Sequence, residues 1–189
     1  IVAVIEHLNG DEDINGILVQ LPLPSHINKK RVLEAINPAK DVDGLTSSNA
    51  RCSLEREECY VCPFPRAIVQ MITSAQDDLS GKRALVIGNS QVFGEVVSGM
   101  LASLGVESAP HIFKEGTWKH DIKGADIVVS AVGSAGYLSG EMFRDNAIVI
   151  DGGIERVDGA VRGDVDMDSC TDTNVTLSPV PGGVGPVTV

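Results

Sequence analysis

The sequence predicts an α/β fold built on a parallel sheet, and three observations carry that prediction. Short continuous apolar runs end at glycine in "RALVIG", "ADIVVSAVG" and "NAIVIDGGI", the pattern of strands buried on both faces. A segment with helical periodicity, "VFGEVVSGMLASLGV", lies between two of them. Of the 189 residues 43% are apolar, only 4% are aromatic and 20 are glycine, which suits Val- and Ile-rich sheets joined to helices by tight turns.

In chain order, "IVAVIEHLNG" reads as the tail of a helix ending at Gly10. The run Ile17 to Val19, closed by Pro22 and Pro24, reads as a buried strand. "NKKRVLEAI" sets Val32, Leu33 and Ile36 on one helical face, with Pro38 closing it, and "NPAKDVDGLTSSN" reads as a polar loop. From Pro65 a helix presents Ile68, Val69 and Ile72. Strand Ala84–Ile87 then leads into a turn and a helix that turns Val96, Val97, Met100, Leu101 and Leu104 inward. "APHIF" is a further strand candidate, although Pro110 argues against it. "GADIVVSAVG" and "NAIVIDGGI" complete the set. Strands alternating with helices imply a Rossmann-like parallel sheet, preceded by part of a second α/β domain. The boundary falls near residues 65–80. The expected domains are 1–66, 67–178 as the Rossmann-like part, and 179–189 as a returning segment.

The closing "LSPVPGGVGPVTV" is crowded with Pro and Gly and is expected to be neither helix nor regular strand, yet it is too apolar for a frayed tail. The chain opens on Ile1 rather than Met, so a missing N-terminal part is expected.

The formal charge of −11 argues against nucleic acid as a partner, since phosphate-backbone binding needs clustered Lys and Arg, and leaves room for a local basic patch that holds a small anion. No apolar run reaches membrane-spanning length. Cys52, Cys59, Cys62 and Cys170 include a C-x-x-C, but no fourth ligand stands nearby at zinc spacing, and prolines follow where a redox motif would open a helix. Reduced thiols are the expectation, and no metal site. Asn174 opens a sequon of a kind frequent by chance.

Three stretches bear on chemistry. In "VIGNSQVFG", Gly88 ends a strand and Gly94 opens a helix, the arrangement that presents backbone N–H groups to a pyrophosphate. Ser90 takes the middle glycine position and the last glycine comes one residue late, so a tight turn that binds nothing fits equally well. "AVGSAG" and "DGGI" end two further strands on the same sheet edge; Asp151 is read as a turn former rather than a catalytic group. Gln20, at the end of an apolar run, and Asp43, before Gly44, are each explained singly as loop residues. Asp41 and Asp43 lack the remaining ligands of a calcium loop.

Taken in order, "GILVQLPLP", "NPAKDVDGL", "VIGNSQVFG", "ADIVVSAVG", "AIVIDGGI", "GDVDM" and "SPVPGGVGPVTV" resemble the methylenetetrahydrofolate dehydrogenase/methenyltetrahydrofolate cyclohydrolase (FolD) family over nearly the whole chain. The resemblance implies a bifunctional enzyme of one-carbon metabolism that serves purine biosynthesis. It would oxidise 5,10-methylenetetrahydrofolate by hydride transfer to NADP, then hydrolyse the methenyl product to 10-formyltetrahydrofolate. It implies two α/β domains flanking a cleft, a homodimer and a cytoplasmic setting. Asp43 would anchor the pterin edge, and Gln20 would sit beside the reacting carbon and orient a lysine. Pro22, Pro181, Gly182, Gly183 and Val184 would bind substrate. Gly88, Asn89, Ser90 and Gly94 would hold the cofactor, with Val132, Gly133 and Ile154 on its nicotinamide side.

The departures from that family are specific. Its Y-x-x-x-K general acid/base is absent from these residues, so the chain by itself is expected to lack cyclohydrolase activity. Asn89 stands where many members carry an arginine for the 2′-phosphate, which leaves NAD open. In "HIFKEG", Lys114 would favour NADP and Glu115 an NAD ribose. Ala67 and Val96 replace a hinge glycine and a helix-start proline. The alternatives are a dehydrogenase-only, NAD-dependent member, a degenerate nucleotide-binding module, and, last, a metal protein built on Cys52, Cys59 and Cys62.

Overall fold

The computed structural model describes residues 1–55 and 62–188; Cys59 and Tyr60 lie outside the described residues, so of the C-x-x-C pair only Cys62 lies within them. The chain divides into two compact units, Ile1–Pro63 and Phe64–Val189.

The first unit holds α1 (Val2–Gly10), α2 (Lys29–Leu33) and α3 (Ser47–Glu55), and its apolar core, drawn from α1, α2 and the loops between the helices, is Ile5, Ile17, Val32, Leu33 and Ile36. The expected strand at Ile17–Val19 is not formed. Ile17 makes one parallel bridge to Asp41, while Leu18 is 58% exposed. Among the described residues no strand lies beside this run to extend a ladder; Ile17 enters the core and Val19 packs at its edge. The polar stretch after Ile36 is also more ordered than a loop. Pro38–Lys40 form a 3-10 turn capped by the Asn37 side chain, and α3 begins within "TSSN", where the Thr46 hydroxyl accepts from Asn49 N at 3.3 Å.

Lys40 shows how this unit is held. Its ammonium donates to the carbonyls of Leu8, Asn9 and Asp11 at 3.1, 2.9 and 2.6 Å. Those oxygens lie at the C-terminus of α1, where a helix is electronegative and its carbonyls lack partners. Lys40→Met keeps the length of the stem and removes the donor. It is expected to destabilise the first unit by about 2 kcal/mol, read as a lower urea midpoint; an unchanged midpoint contradicts this role.

The second unit is a five-stranded parallel sheet of order β2-β1-β3-β4-β7: β1 (Arg83–Gly88), β2 (Glu107–Ile112), β3 (Ile127–Ala131), β4 (Ile148–Asp151) and β7 (Thr176–Leu177). Alternate residues face opposite layers. Val86, Val129 and Ile150 pack with Ile68 and Ile72 of α4 (Pro63–Ala75) and with Val97 and Leu101 of α5 (Gln91–Ala102). On the other face Leu85, Ile87, Val128 and Val149 meet Leu138, Phe143 and Trp118 of the short α6 (Trp118–Asp121). Strand β2 forms despite Pro110 because it is an edge strand, where a missing donor is tolerated. Leu104, expected inward, is 38% exposed: α5 stops at Ala102, and the chain turns through Gly105 at φ 76° into β2.

A hairpin not foreseen from the sequence, β5 (Glu155–Val157) with β6 (Ala160–Arg162), turns at Asp158 and Gly159, both at positive φ. The Pro/Gly-rich ending contains a helical turn, α7 (Val184–Val187), contrary to expectation; Val184 anchors it in the core. No helix among the described residues is long and apolar enough to cross a membrane.

Candidate functional site

Parallel register brings the carboxyl ends of β1, β3 and β4 to one rim: Gly88 pairs with Ala131, and Ser130 with Asp151. The chain leaves β1 for β2 on one side and continues to β3 on the other. Strand order therefore reverses between β1 and β3, and open α/β sheets take ligands in the crevice at such a reversal.

Expected site residues stand on both walls of that crevice. After β1, Gly88 is buried while Asn89 and Ser90 are exposed. Ser90 is the N-cap of α5, its hydroxyl accepting from Phe93 N at 3.5 Å. Gly94 is buried, and a Cβ there would approach Pro110 of β2 to 2.7 Å, so glycine allows α5 to lie against the edge strand. After β3, Val132 is half-buried and Gly133 exposed. The walls are tied by Asn89 Nδ2 donating to Val132 O at 2.8 Å. Ile154, 64% exposed, closes the rim from β4, its carbonyl 3.4 Å from where a Cβ on Gly133 would sit. The structure thus gathers Gly88, Asn89, Ser90, Val132, Gly133 and Ile154, with Gly94 one turn behind.

Beneath the rim lie two buried carboxylates. Asp151 is 1% exposed and Asp164 0%. Asp151 accepts from the N–H groups of Gly153, Asp164 and Val165 at 2.9, 3.0 and 2.8 Å. Asp164 accepts from the N–H groups of Val132, Gly133 and Ser134 at 2.8, 2.9 and 2.8 Å, and from the Ser130 hydroxyl at 2.5 Å. Among the described residues the ion pairs are His111–Asp121 and Arg144–Asp126. Neither reaches this pair, so backbone donors compensate the two acids.

The neighbouring glycines follow from that packing. A Cβ on Gly153 would run into the Asp164 carboxylate, and one on Gly163 into that of Asp151. "DGG" and "GD" are therefore interlocking halves of one device. Asp151 is an anchor for two segments rather than a simple turn former. Burial pushes its carboxyl above the ordinary carboxylate value, against the pull of its three N–H donors. The hydroxyl of Tyr137, 2.7 Å from Ser130 Oγ, is likewise pushed up by burial. Asp164 carries no role in the sequence reading; its only signal is "GDVDM", since its partners stand some thirty positions upstream.

The first unit carries the remaining expected residues. Gln20 and Pro22 are exposed, with Gln20 Nε2 donating to Leu21 O at 3.1 Å. Asp43 is half-buried, and its carboxyl is raised above the ordinary value by burial first and by the charge of Asp41 second. Asp41, fully buried, pins the loop by accepting from Thr46 N at 2.8 Å and Asn49 Nδ2 at 3.0 Å. In the second unit Pro181 and Gly182 are exposed, whereas Gly183 and Val184 are buried; the Val184 side chain is a core residue.

The rim suits a phosphate-bearing dinucleotide. Residues 89–92 are exposed around the N-terminus of a 12-residue helix, whose first N–H groups lack intrahelical acceptors. Lys114 and Glu115 are exposed in the 3-10 turn after β2, where the adenosine ribose of such a ligand falls. No group of three His, Cys, Asp or Glu among the described residues is placed to hold a metal ion.

Comparison with known proteins agrees with this geometry. The family model described as "Tetrahydrofolate dehydrogenase/cyclohydrolase, NAD(P)-binding domain" matches residues 62–189, and its "catalytic domain" counterpart matches residues 1–43. A Francisella philomiragia protein named "Bifunctional protein FolD" is 41% identical over 191 residues, covering 100% of this chain and 67% of that protein. The crystal structure of the bifunctional FolD enzyme of Campylobacter jejuni superposes with a TM-score of 0.90 at 35% identity, over 99% of this chain and 67% of that one. That of Trypanosoma brucei FolD, complexed with NADP and an inhibitor, gives 0.86 at 32% identity, over 100% and 68%. The chain thus spans about two thirds of the length of these relatives.

Proposed function

Because the chain belongs to the tetrahydrofolate dehydrogenase/cyclohydrolase family, we propose that it acts in one-carbon metabolism, oxidising 5,10-methylenetetrahydrofolate with NADP as part of an enzyme that also hydrolyses the methenyl product to 10-formyltetrahydrofolate. The observation that carries this reading is the β1/β3 crevice. Residues of the cofactor-binding half of the family motif stand on both of its walls, joined by the Asn89–Val132 hydrogen bond.

A nicotinamide cofactor held there would supply the acceptor for the hydride of the folate's one-carbon bridge. The chain's residues position rather than react. The N-terminus of α5 and the Gly88–Ser90 turn take the pyrophosphate, and Val132, Gly133 and Ile154 face the nicotinamide half. Lys114, exposed in the turn after β2, is a cation available to a 2′-phosphate. Asp43 accepts from the donor edge of the pterin, and Gln20 and Pro22 line the reacting end. Pro181 and Gly182 approach substrate through exposed backbone, with Gly183 and Val184 fixing them to the core. The domains serving these roles are 1–66, 67–178 and the segment 179–189. The same reading makes the protein a cytoplasmic homodimer serving purine biosynthesis, with neither nucleic acid nor membrane as partner; the charge of −11 supports the exclusion of nucleic acid.

The whole-length protein, given 5,10-methylenetetrahydrofolate, is expected to form NADPH faster than NADH from equal NADP and NAD. No reduction of either cofactor contradicts the activity, and faster NADH formation contradicts the cofactor. The 189-residue chain alone, which contains no Y-x-x-x-K, is expected to open methenyltetrahydrofolate no faster than buffer.

A further inference from the structure

We propose that Asp164 is a positioning residue for hydride transfer: its buried carboxylate presets the backbone of Val132–Ser134 to receive the nicotinamide half of the cofactor. The proposal rests on the reading of the crevice given above.

Apart from the packing of the Val132 side chain against the core, that loop is shaped by backbone hydrogen bonds. It follows the last residue of β3 and belongs to no helix or strand, and Gly133 sits at φ 76°, a conformation with no intrinsic preference over others for glycine. An open hollow of about 700 Å³ begins just beyond the loop, at Ala135 and Gly136, and is lined also by Glu155 and Arg162. Three consecutive N–H groups, of Val132, Gly133 and Ser134, turn inward onto one carboxylate. That turn leaves the Val132 carbonyl to meet Asn89 across the crevice at 2.8 Å.

Asp164 is itself immobile. Its N–H donates to Asp151, the next N–H, that of Val165, does the same, and Ser130 of β3 donates to its Oδ2. Fixing these groups beforehand spares the ligand the cost of ordering the loop. The adenosine half of a dinucleotide lies toward β2, on the other side of the pyrophosphate-binding turn, and so lies outside the reach of Asp164.

The test separates the two halves of the cofactor. Asp164→Asn keeps the volume but puts an N–H₂ where an oxygen accepted backbone donors. In the whole-length protein it is expected to raise the Kd for NADP about tenfold or more. The Kd for adenosine 2′,5′-bisphosphate, which carries the adenosine 2′-phosphate and no nicotinamide, is expected to stay within about twofold, as befits a site the altered loop does not touch. Equal changes for both ligands, or none for either, overturn the positioning role while leaving the reading of the crevice intact. If the unaltered protein binds neither ligand, that reading fails and the proposal with it.

Hydrogen exchange on the unaltered protein needs no variant. The Val132, Gly133 and Ser134 amides are expected to be protected without NADP and to gain little when it is added. Free exchange that becomes protected only with NADP would assign the ordering to the ligand and overturn the proposal.

Discussion

Gly153→Ala is expected to destabilise the second unit by about 3 kcal/mol, lowering Tm by roughly 6–12 °C. The added Cβ runs into the Asp164 carboxylate, and that group has nowhere to go. Four donors fix it, from Ser130, Val132, Gly133 and Ser134, and moving it leaves a buried charge and several N–H groups unpaired. Gly99→Ala provides the contrast. Gly99 lies inside α5 with nothing within 4 Å of the new methyl, so alanine there is expected to stabilise by about 0.5–1 kcal/mol through helix propensity alone. Thermal denaturation of both variants decides: similar shifts for the two would mean that the carboxylate does not occupy the Gly153 cradle in solution.

Asp43→Ala is expected to lower dehydrogenase kcat/KM by roughly 10²-fold, the cost of leaving two pterin donors without their charged acceptor. The pH dependence is the sharper signature. Burial, and then the neighbouring Asp41, hold the Asp43 carboxyl above its ordinary value of 3.8, and only the ionised form accepts from two N–H groups. Acidification through that raised pKa protonates Asp43 and removes the anchor. Activity is therefore expected to fall on the acid side at a higher pH than an ordinary carboxylate would give, and Asp43→Asn, which does not titrate, is expected to lack that limb. A wild-type profile flat down to the usual carboxylate range contradicts the assignment.

Local patterns made much of this architecture legible in the sequence. Strands β1, β3 and β4 are apolar runs ended by glycine or Asp-Gly, and α5 announces itself through the period of Val96, Val97, Met100 and Leu101. Where local patterns mislead, tertiary context explains why. Ile17–Val19 has the composition of a buried strand, but a strand needs neighbours, and one bridge to Asp41 does not make a ladder. The helix beginning at Ser47 has no apolar period to reveal it; its signal is the cap at Thr46, easily lost among polar residues. The β5–β6 hairpin was readable in principle from Asp158-Gly159, a strong turn dipeptide, though its strands are too short and mixed to attract notice.

The candidate site divides in the same way. The turn at Gly88–Ser90 is a motif contiguous in sequence, so residues alone place it at a strand end. Asp164 serves the loop at Val132–Ser134 across some thirty positions, and nothing nearby in sequence marks it as more than a polar residue after a glycine. What ties it to the crevice is the mutual cradle with Asp151, visible only once Gly153 and Gly163 are seen to face the opposite acids.

The claim that a dinucleotide lies in the β1/β3 crevice is tested most directly by mapping where NADP slows amide exchange along the chain. Protection is expected at residues 89–93, where the first turn of α5 meets the pyrophosphate, with residues 132–134 protected before and after. NADP that binds yet leaves residues 89–93 exchanging as before, or protects only segments away from this rim, would contradict it.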